Sequence, residues 1–243
     1  MQSITWATFC VANSLARTVV HFFPSSGTVT APYPAMCKFT LFSQGECAKT
    51  QSLEGLRLSQ PDGVRLEDIF PFLREGVNGM MGLHITLSTL QPRIDLSPSD
   101  CVIEIASRSH SVRFHPKQLE SGKEAIAVDG PLLGFDDQFH SSSLVVVNGA
   151  KDVFEASLSW IGESAEVPVH ERAARSEKVS PWSVEEFSLH KEIEDSCAPR
   201  VEQSWGASRA ASFSLEKEIP AGSACFMMYR DATTKLPVSV VAV

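Results

Sequence analysis

The stretch Val146-Val147-Asn148, followed after a short gap by residues 152–158, decides our interpretation of the fold. Its pattern also occurs near the start of the chain, where Val11-Ala12-Asn13 precedes residues 17–23. A repeat of about 120–135 residues in a chain of 243 residues indicates two copies of one domain.

A second similarity supports this interpretation. Residues 61–69 and residues 181–189 both begin with proline and have valine at their fourth position. The two matched pairs lie in the same order in each half of the chain. We therefore predict an internal repeat, with a first domain at 1–118, a packed connector at 119–142 and a second domain at 143–243.

Short runs of β-branched and aromatic residues occur throughout the chain, and clusters of Gly, Pro, Ser and Asp separate them. This composition and spacing are typical of strands in a sandwich or barrel. The runs are residues 18–23, 83–87, 101–105, 144–147, 154–160, 213–215, 225–229 and 237–243. The sequence therefore predicts an all-β chain of two tandem immunoglobulin-like β-sandwiches.

Helical signals are weak. Residues 64–73 could form one or two helical turns, and Pro71 would limit the length of such a helix. Residues 183–194 resemble an amphipathic helix with Ser183 as its N-cap, but residues 184–190 also alternate as a strand does. Because this stretch matches the 64–69 region, we expect a strand or a short turn in both places.

The charge is unevenly divided between the two halves. Residues 1–118 hold ten Lys and Arg against nine Asp and Glu, a net charge of +1. Residues 119–243 hold eleven against twenty, a net charge of −9, and the two values add to the total of −8. Without a basic face, binding to nucleic acid is not expected.

We predict the cellular compartment from two kinds of segment, a membrane-spanning helix and a signal peptide. No run approaches the roughly 18 apolar residues that a membrane-spanning helix needs. The first twenty residues have no basic segment ahead of an apolar one, so they do not resemble a signal peptide. We expect a cytoplasmic protein by default, and an extracytoplasmic one if the N-terminus has been truncated.

No catalytic or metal-binding motif is recognisable, so we predict no catalytic residues, no metal site and no cofactor. The chain has no C-x-x-C pair, no H-x-H pair, no nucleophile elbow and no phosphate-binding glycine loop. Most of the six cysteines lie in apolar runs and are expected to be buried free thiols. Cys37 and Cys47 flank a predicted hairpin and are the best candidates for a disulfide if the protein is exported.

One segment supports an alternative fold. The turn Ile219-Pro220-Ala221-Gly222 resembles the P-x-G turn of the second cupin motif, and a duplicated all-β chain is similar in outline to a bicupin. The resemblance fails at the metal ligand, because Cys225 stands where a cupin has histidine. The alternative fold is therefore a cupin-like double barrel. The function that would go with this fold is that of an enzyme without a recognisable metal site.

Candidate binding residues lie in loops of the acidic half. Trp182 and Trp205 fall in turn-like or polar stretches, where they either close the ends of a sandwich or form a platform for sugars. Arg230, Asp231 and Lys235 fall in a predicted hairpin loop in which Asp231 caps the turn. Either the two basic side chains are simply solvated, or the loop presents them to an anionic partner.

These observations favour a non-enzymatic binding or structural protein that presents sandwich edges and loops to a protein partner or to a second copy of itself. The alternative function is carbohydrate binding through the loop tryptophans. The sequence identifies neither the ligand nor the oligomeric state.

Overall fold

The structure is a computed structural model of the chain. It describes residues 2–23, 35–43, 46–56, 62–77, 79–90, 96–120, 125–126, 132–136, 139–162, 172–188, 209–215 and 218–243. Trp205 lies outside these ranges, as do residues 121–124, 127–131 and 137–138 of the predicted connector.

The described residues are mostly in strands and almost none are in helices, which confirms the predicted all-β class. In chain order the strands are β1 (Gln2–Val11), β2 (Ala16–Phe22), β3 (Ala35–Ser43), β4 (Glu46–Leu56), β5 (Val64–Arg65), β6 (Met80–Thr89), β7 (Cys101–Ser107), β8 (Ser111–Phe114), β9 (Lys117–Leu119), β10 (Ala125–Ile126), β11 (Leu132–Asp136), β12 (His140–Asn148), β13 (Phe154–Gly162), β14 (Arg172–Val179), β15 (Ser183–Ser188), β16 (Arg209–Leu215), β17 (Ile219–Pro220), β18 (Ala224–Asp231) and β19 (Pro237–Ala242).

Helical structure within the described ranges is limited to three segments of three to five residues. One α-helical turn, α1 (Leu66–Ile69), is followed by a 3-10 helix at Pro71–Glu75, and a second 3-10 helix spans Pro98–Asp100. The stretch from Ser183 is the strand β15. The prediction of strands or short turns is thus confirmed in both regions.

Four larger sheets contain most of the strands, and all of their pairings are antiparallel. Sheet I has the order β4-β3-β6-β1-β9, and sheet II the order β5-β2-β7-β8. Sheet III has the order β15-β12-β18-β19, and sheet IV the order β11-β16-β13-β14. Strands β10 and β17 form a separate pair.

The first matched pair of sequence stretches has the same local structure in both halves. Each stretch ends a strand, and the next strand belongs to another sheet: β1 to β2 leads from sheet I to II, and β12 to β13 from sheet III to IV. In each turn an asparagine accepts a backbone N–H two residues on, Leu15 for Asn13 and Ala150 for Asn148. Asparagine is favoured here because its side chain mimics a backbone turn.

The second matched pair differs in its pairing. Strand β5, which follows Gly63, pairs with β2, the second strand of its half. Strand β15, which follows Trp182, pairs with β12, the first strand of its half. The two stretches therefore occupy different places in their sheets.

Strand β12 shows why sheet III is the centre of the molecule. Residues 144–147 are all fully buried, although successive side chains of a strand point to opposite faces. Val145 and Val147 join a cluster shared with sheets I and II, whereas Leu144 and Val146 join a cluster shared with β13 and β14 of sheet IV. A run of apolar β-branched residues suits a strand buried on both faces.

Three phenylalanines join the two halves of the chain in one core. The ring centroid of Phe9 in sheet I lies 5.5 Å from that of Phe114 in sheet II and 5.4 Å from that of Phe226 in sheet III. Phe114 and Phe226 are 5.8 Å apart. The cluster that contains them extends over sheets I, II and III.

The described part of the chain contains no helix that is both long enough and apolar enough to cross a membrane.

Candidate functional site

The hairpin loop between β18 and β19, residues 231–236, has a fixed shape. The Oδ1 atom of Asp231 accepts the backbone N–H groups of Thr233 and Thr234 at 3.0 and 2.6 Å, and the Thr234 hydroxyl at 2.9 Å. The backbone N–H groups of Asp231 and Lys235 donate to the Leu236 and Asp231 carbonyls. The predicted capping role of Asp231 is confirmed.

These hydrogen bonds act on the charge state of Asp231. The Thr234 backbone N–H has the largest effect, and together with the Thr234 hydroxyl and the Thr233 N–H it lowers the pKa of the Asp231 carboxyl. His140, which lies opposite Asp231 in the β12–β18 pairing, lowers the pKa further. Asp231 therefore stays ionised at neutral pH.

Arg230 is held against the neighbouring sheet surface. Its Nε and Nη2 atoms each lie 3.1 Å from an oxygen of Glu186 on β15, and its Nη1 atom donates to the Lys235 carbonyl at 2.8 Å. Glu186 also accepts the Ser143 hydroxyl at 2.6 Å. Such a two-pronged pair fixes the geometry of both side chains, so Arg230 supports the base of the loop.

The tip of the loop is exposed. Thr233, Thr234 and Lys235 are all exposed, and Lys235 has a left-handed backbone with φ of 59°. Among the predicted binding residues, the hairpin thus brings Arg230, Asp231 and Lys235 together at one end of sheet III. The tip offers polar groups in a loop that is already ordered.

A cleft of about 400 Å³ lies beside this loop, and we call it the seam cleft. It is located where β8, the edge strand of sheet II, runs beside β19, the edge strand of sheet III. The residues that line it come from both halves of the chain: Ser109, His110, Ser111, Val112, Asp231, Thr234 and Val238.

His110 connects the two sides of the seam cleft. Its Nε2 atom lies 3.2 Å from the Pro237 carbonyl oxygen, so this nitrogen carries the proton and donates. The Nδ1 atom is then an acceptor for the Ser109 hydroxyl at 3.2 Å, because the Ser107 hydroxyl already donates to the His110 carbonyl. The histidine orders the β7–β8 turn against the start of β19.

Trp182 lies in a turn, as predicted, but its ring packs inward. Its centroid is 5.5 Å from that of Phe42 and 6.3 Å from that of His84, and the side chain packs against the main core. Its φ of 52° is uncommon for a bulky residue. These contacts fit the interpretation in which Trp182 closes an end of a sandwich. Trp182 precedes Ser183, which pairs with the end of β12 at Asn148, whereas the hairpin loop follows Arg230 beside the start of β12 at His140.

His84 completes the cluster around Trp182. Its Nε2 atom lies 2.8 Å from the Gly222 carbonyl, which links β6 to the turn after β17. Burial lowers the pKa of His84, while the bond to Gly222 acts in the opposite direction and does not overcome it. The imidazole is therefore neutral at pH 7.

This burial predicts an acid-sensitive contact. The unfolded chain takes up a proton on His84 near pH 6.5, whereas the folded chain does so only at lower pH. Between these two values the unfolded state binds more protons, so the free energy of unfolding falls as the pH decreases through this window. We expect His84→Gln, which retains a donor for Gly222, to reduce this fall. Urea unfolding between pH 7.5 and 4.5 measures it, and identical pH profiles for the two proteins would contradict the prediction.

A second charged network lies on sheet II, and the sequence did not indicate it. Burial alone would raise the pKa of Glu104, but hydrogen bonds with Ser111, His21 and Arg113 outweigh that effect and lower it. The buried His21 ring donates through Nε2 to the Glu104 carboxylate at 2.7 Å. Its Nδ1 atom has no hydrogen-bond partner among the residues that the structure describes, and it faces Gly63 closely enough that a side chain there would collide with it.

The cysteines whose side chains the structure describes are buried free thiols, as predicted: Cys10, Cys37, Cys101 and Cys225. Burial raises the pKa of Cys10 and Cys225 to about 12. In the hairpin Cys37 lies opposite Leu53 and forms no disulfide. The structure describes no side chain for Cys47.

Nowhere in the described ranges do three His, Cys, Asp or Glu side chains come together as a group that could hold a metal ion. Cys225, at the position of a cupin metal ligand, is fully buried in the cluster between sheets III and IV.

Neither the protein-family models nor the curated proteins include a match to this chain.

Proposed function

We propose that this chain is a non-enzymatic binding protein that presents the β18–β19 hairpin loop, and the sheet edges, to a protein partner. The ordered, exposed loop is the observation that carries this proposal. Asp231 and Arg230 hold the loop through hydrogen bonds, while the side chains at its tip stay exposed. A loop ordered before binding loses little conformational entropy when a partner docks.

Sheet I supports the same function through an available edge. Strand β4 has eleven residues and stands at the end of the sheet, and none of the described strands pairs with its outer side. Residues 49–52 are exposed on both faces of the strand. An unpaired edge of this length can accept a strand from another chain.

The proposal includes the architecture behind the function: two tandem immunoglobulin-like sandwiches, 1–118 and 143–243, joined by the connector 119–142. The asparagine-capped turns that lead from one sheet to another in both halves support a duplication. The halves then differ in charge, and the acidic second half carries the loop.

Size-exclusion chromatography with light scattering tests whether the chain forms complexes. The purified chain is run alone and after incubation with an extract of its native source, with chemical crosslinking before the column. We expect a larger species of defined mass in one of the two runs, and mass spectrometry identifies its components. A strictly monomeric chain in both runs would contradict the proposal.

A further inference from the structure

We propose that β4 pairs with β4 of a second copy of this chain, antiparallel about a two-fold axis at Gln51. The pairing would join the two five-stranded copies of sheet I into one sheet of ten strands. This inference rests on the proposed function, because it names the partner that the edge of sheet I accepts.

Strand β4 differs from the other edge strands that the structure describes. Strands β5, β9, β10 and β17 have only two or three residues each. Strands β8 and β19 run beside each other, and β11, β14 and β15 lie beside strands of other sheets. Short length and covering by a neighbour both protect an edge from pairing with another chain. Among the described strands, β4 is the long edge with neither protection.

The side chains of sheet I favour a second copy as the strand that pairs there. One face of the sheet sets hydroxyl groups opposite each other and hydrogen-bonds them: Ser3 with Ser88 at 3.1 Å, Thr5 with Thr86 at 3.0 Å, and Thr40 with Thr50 at 3.2 Å. Cross-strand hydroxyl pairs of this kind stabilise a sheet.

Strand β4 itself supplies the hydroxyl groups that would continue this pattern. Thr50 and Ser52 are exposed and lie on the same face of the strand, two residues apart. About an axis at Gln51, Thr50 of each copy lies opposite Ser52 of the other. The Thr50 hydroxyl can bond to both Thr40 and the second copy, because a hydroxyl has one donor and two acceptor positions.

The register of β4 places the axis at Gln51. The pairing with β3 is regular from Lys49 to Leu53 and shifts beyond each end. Gln51 is the midpoint of this regular run, so an axis there uses all of it. An axis at Lys49 would set two lysines opposite each other, and an axis at Glu54 two glutamates, and like charges directly opposite destabilise a strand pair.

The lysines near this edge do not oppose the proposed pairing, although an edge lysine often prevents strand addition. The Lys49 ammonium lies 4.3 Å from the centroid of the Phe72 ring, so its charge is held over its own molecule. Opposite Lys49 would lie Leu53 of the second copy, an apolar side chain against which the lysine stem can pack. Lys38 is on β3, opposite Ser52 and one strand further from the axis.

Size-exclusion chromatography with light scattering of the purified full chain measures the dimer. We expect the natural chain to approach twice the mass of one chain as its concentration rises. Two variants that differ at one residue test the register: Thr50→Glu/Ser52→Glu and Thr50→Lys/Ser52→Glu. About the proposed axis, the first sets glutamate opposite glutamate in two places, and the second sets lysine opposite glutamate in both. In each variant, position 52 lies opposite Lys38 of its own sheet, which suits a glutamate.

We expect the Lys/Glu variant to dimerise at least as tightly as the natural chain. The Glu/Glu variant should have a dissociation constant about tenfold higher or more, because of its two like-charge pairs. The control Arg108→Ala/Lys151→Ala lowers the net charge of −8 by the same two charges, at exposed turn positions, and should dimerise like the natural chain. A natural chain that stays monomeric, equal dimerisation of the two β4 variants, or loss of the dimer in the control would each overturn the proposal.

The two proposals can fail separately. If the purified chain is monomeric but forms a complex with a component of the extract, the self-pairing of β4 alone is wrong. If the chain dimerises through β4 and nothing in the extract joins it, the self-pairing stands and the proposed partner of the hairpin loop is wrong.

Discussion

Replacing Phe226 with alanine should lower the free energy of unfolding by about 3–5 kcal/mol, the range for deleting a buried aromatic ring. The side chain is fully buried, and its ring contacts Phe9 and Phe114. The cavity would open where sheets I, II and III meet, and side chains from three sheets cannot easily move together to fill it.

Urea unfolding followed by tryptophan fluorescence measures this loss. Phe139→Ala is the matched control, because Phe139 is 60% exposed and its truncation should cost less than about 1 kcal/mol. Equal effects of the two substitutions would show that the three sheets do not share a core at Phe226. Two separate unfolding transitions, with only one affected, would contradict the joining of both halves by this cluster.

Replacing Gly149 with alanine should cost about 1–3 kcal/mol or more, as overpacking of a filled site does. An added Cβ would lie 2.1 Å from Nε2 of His84 and 2.5 Å from the Gly222 carbonyl oxygen. The substitution forces these two groups apart, and they are hydrogen-bonded to each other. We therefore expect the contact between β6 and the turn after β17 to be lost.

The double variant His84→Ala with Gly149→Ala tests this explanation. Removing the imidazole makes room for part of the added methyl group, so Gly149→Ala should cost less in that background than in the natural chain. Gly55→Ala is a second control, because nothing lies within 4 Å of its added Cβ and only its positive φ opposes the change. Additive costs for His84→Ala and Gly149→Ala would contradict the predicted clash.

Local chemistry made part of the structure predictable. The apolar run at residues 144–147, which ends in three valines, predicted a strand. Asp231 predicted a capped turn because its side chain reaches backbone groups two and three residues away. Asn13 and Asn148 marked equivalent turns for the same reason.

Long-range contacts limited the prediction of the site. Arg230 is fixed by Glu186, 44 residues away, and nothing in the hairpin sequence specifies that partner. His110 reaches Pro237, which lies 127 residues further along the chain. The seam cleft exists only because β8 and β19 meet, so neither Ser109 nor His110 stood out in the sequence. Likewise, the turn at Trp182 was predictable, but not the rings against which it packs.

The most direct test of the binding function compares three immobilised forms of the chain: the natural protein, a hairpin variant and a loop control. The hairpin variant Thr233→Ala/Lys235→Gly removes exposed side chains of the loop tip. It keeps the backbone donors to Asp231 and suits the positive φ at position 235. The control, Lys151→Ala/Asp152→Ala, alters equally exposed residues in the β12–β13 turn.

Retention of the crosslinked partner is measured on each form by surface plasmon resonance. We predict that the natural chain and the loop control bind the partner alike, and that the hairpin variant binds it at least tenfold more weakly, a loss of about 1.4 kcal/mol. Equal binding by all three forms would contradict the proposed role of the hairpin loop.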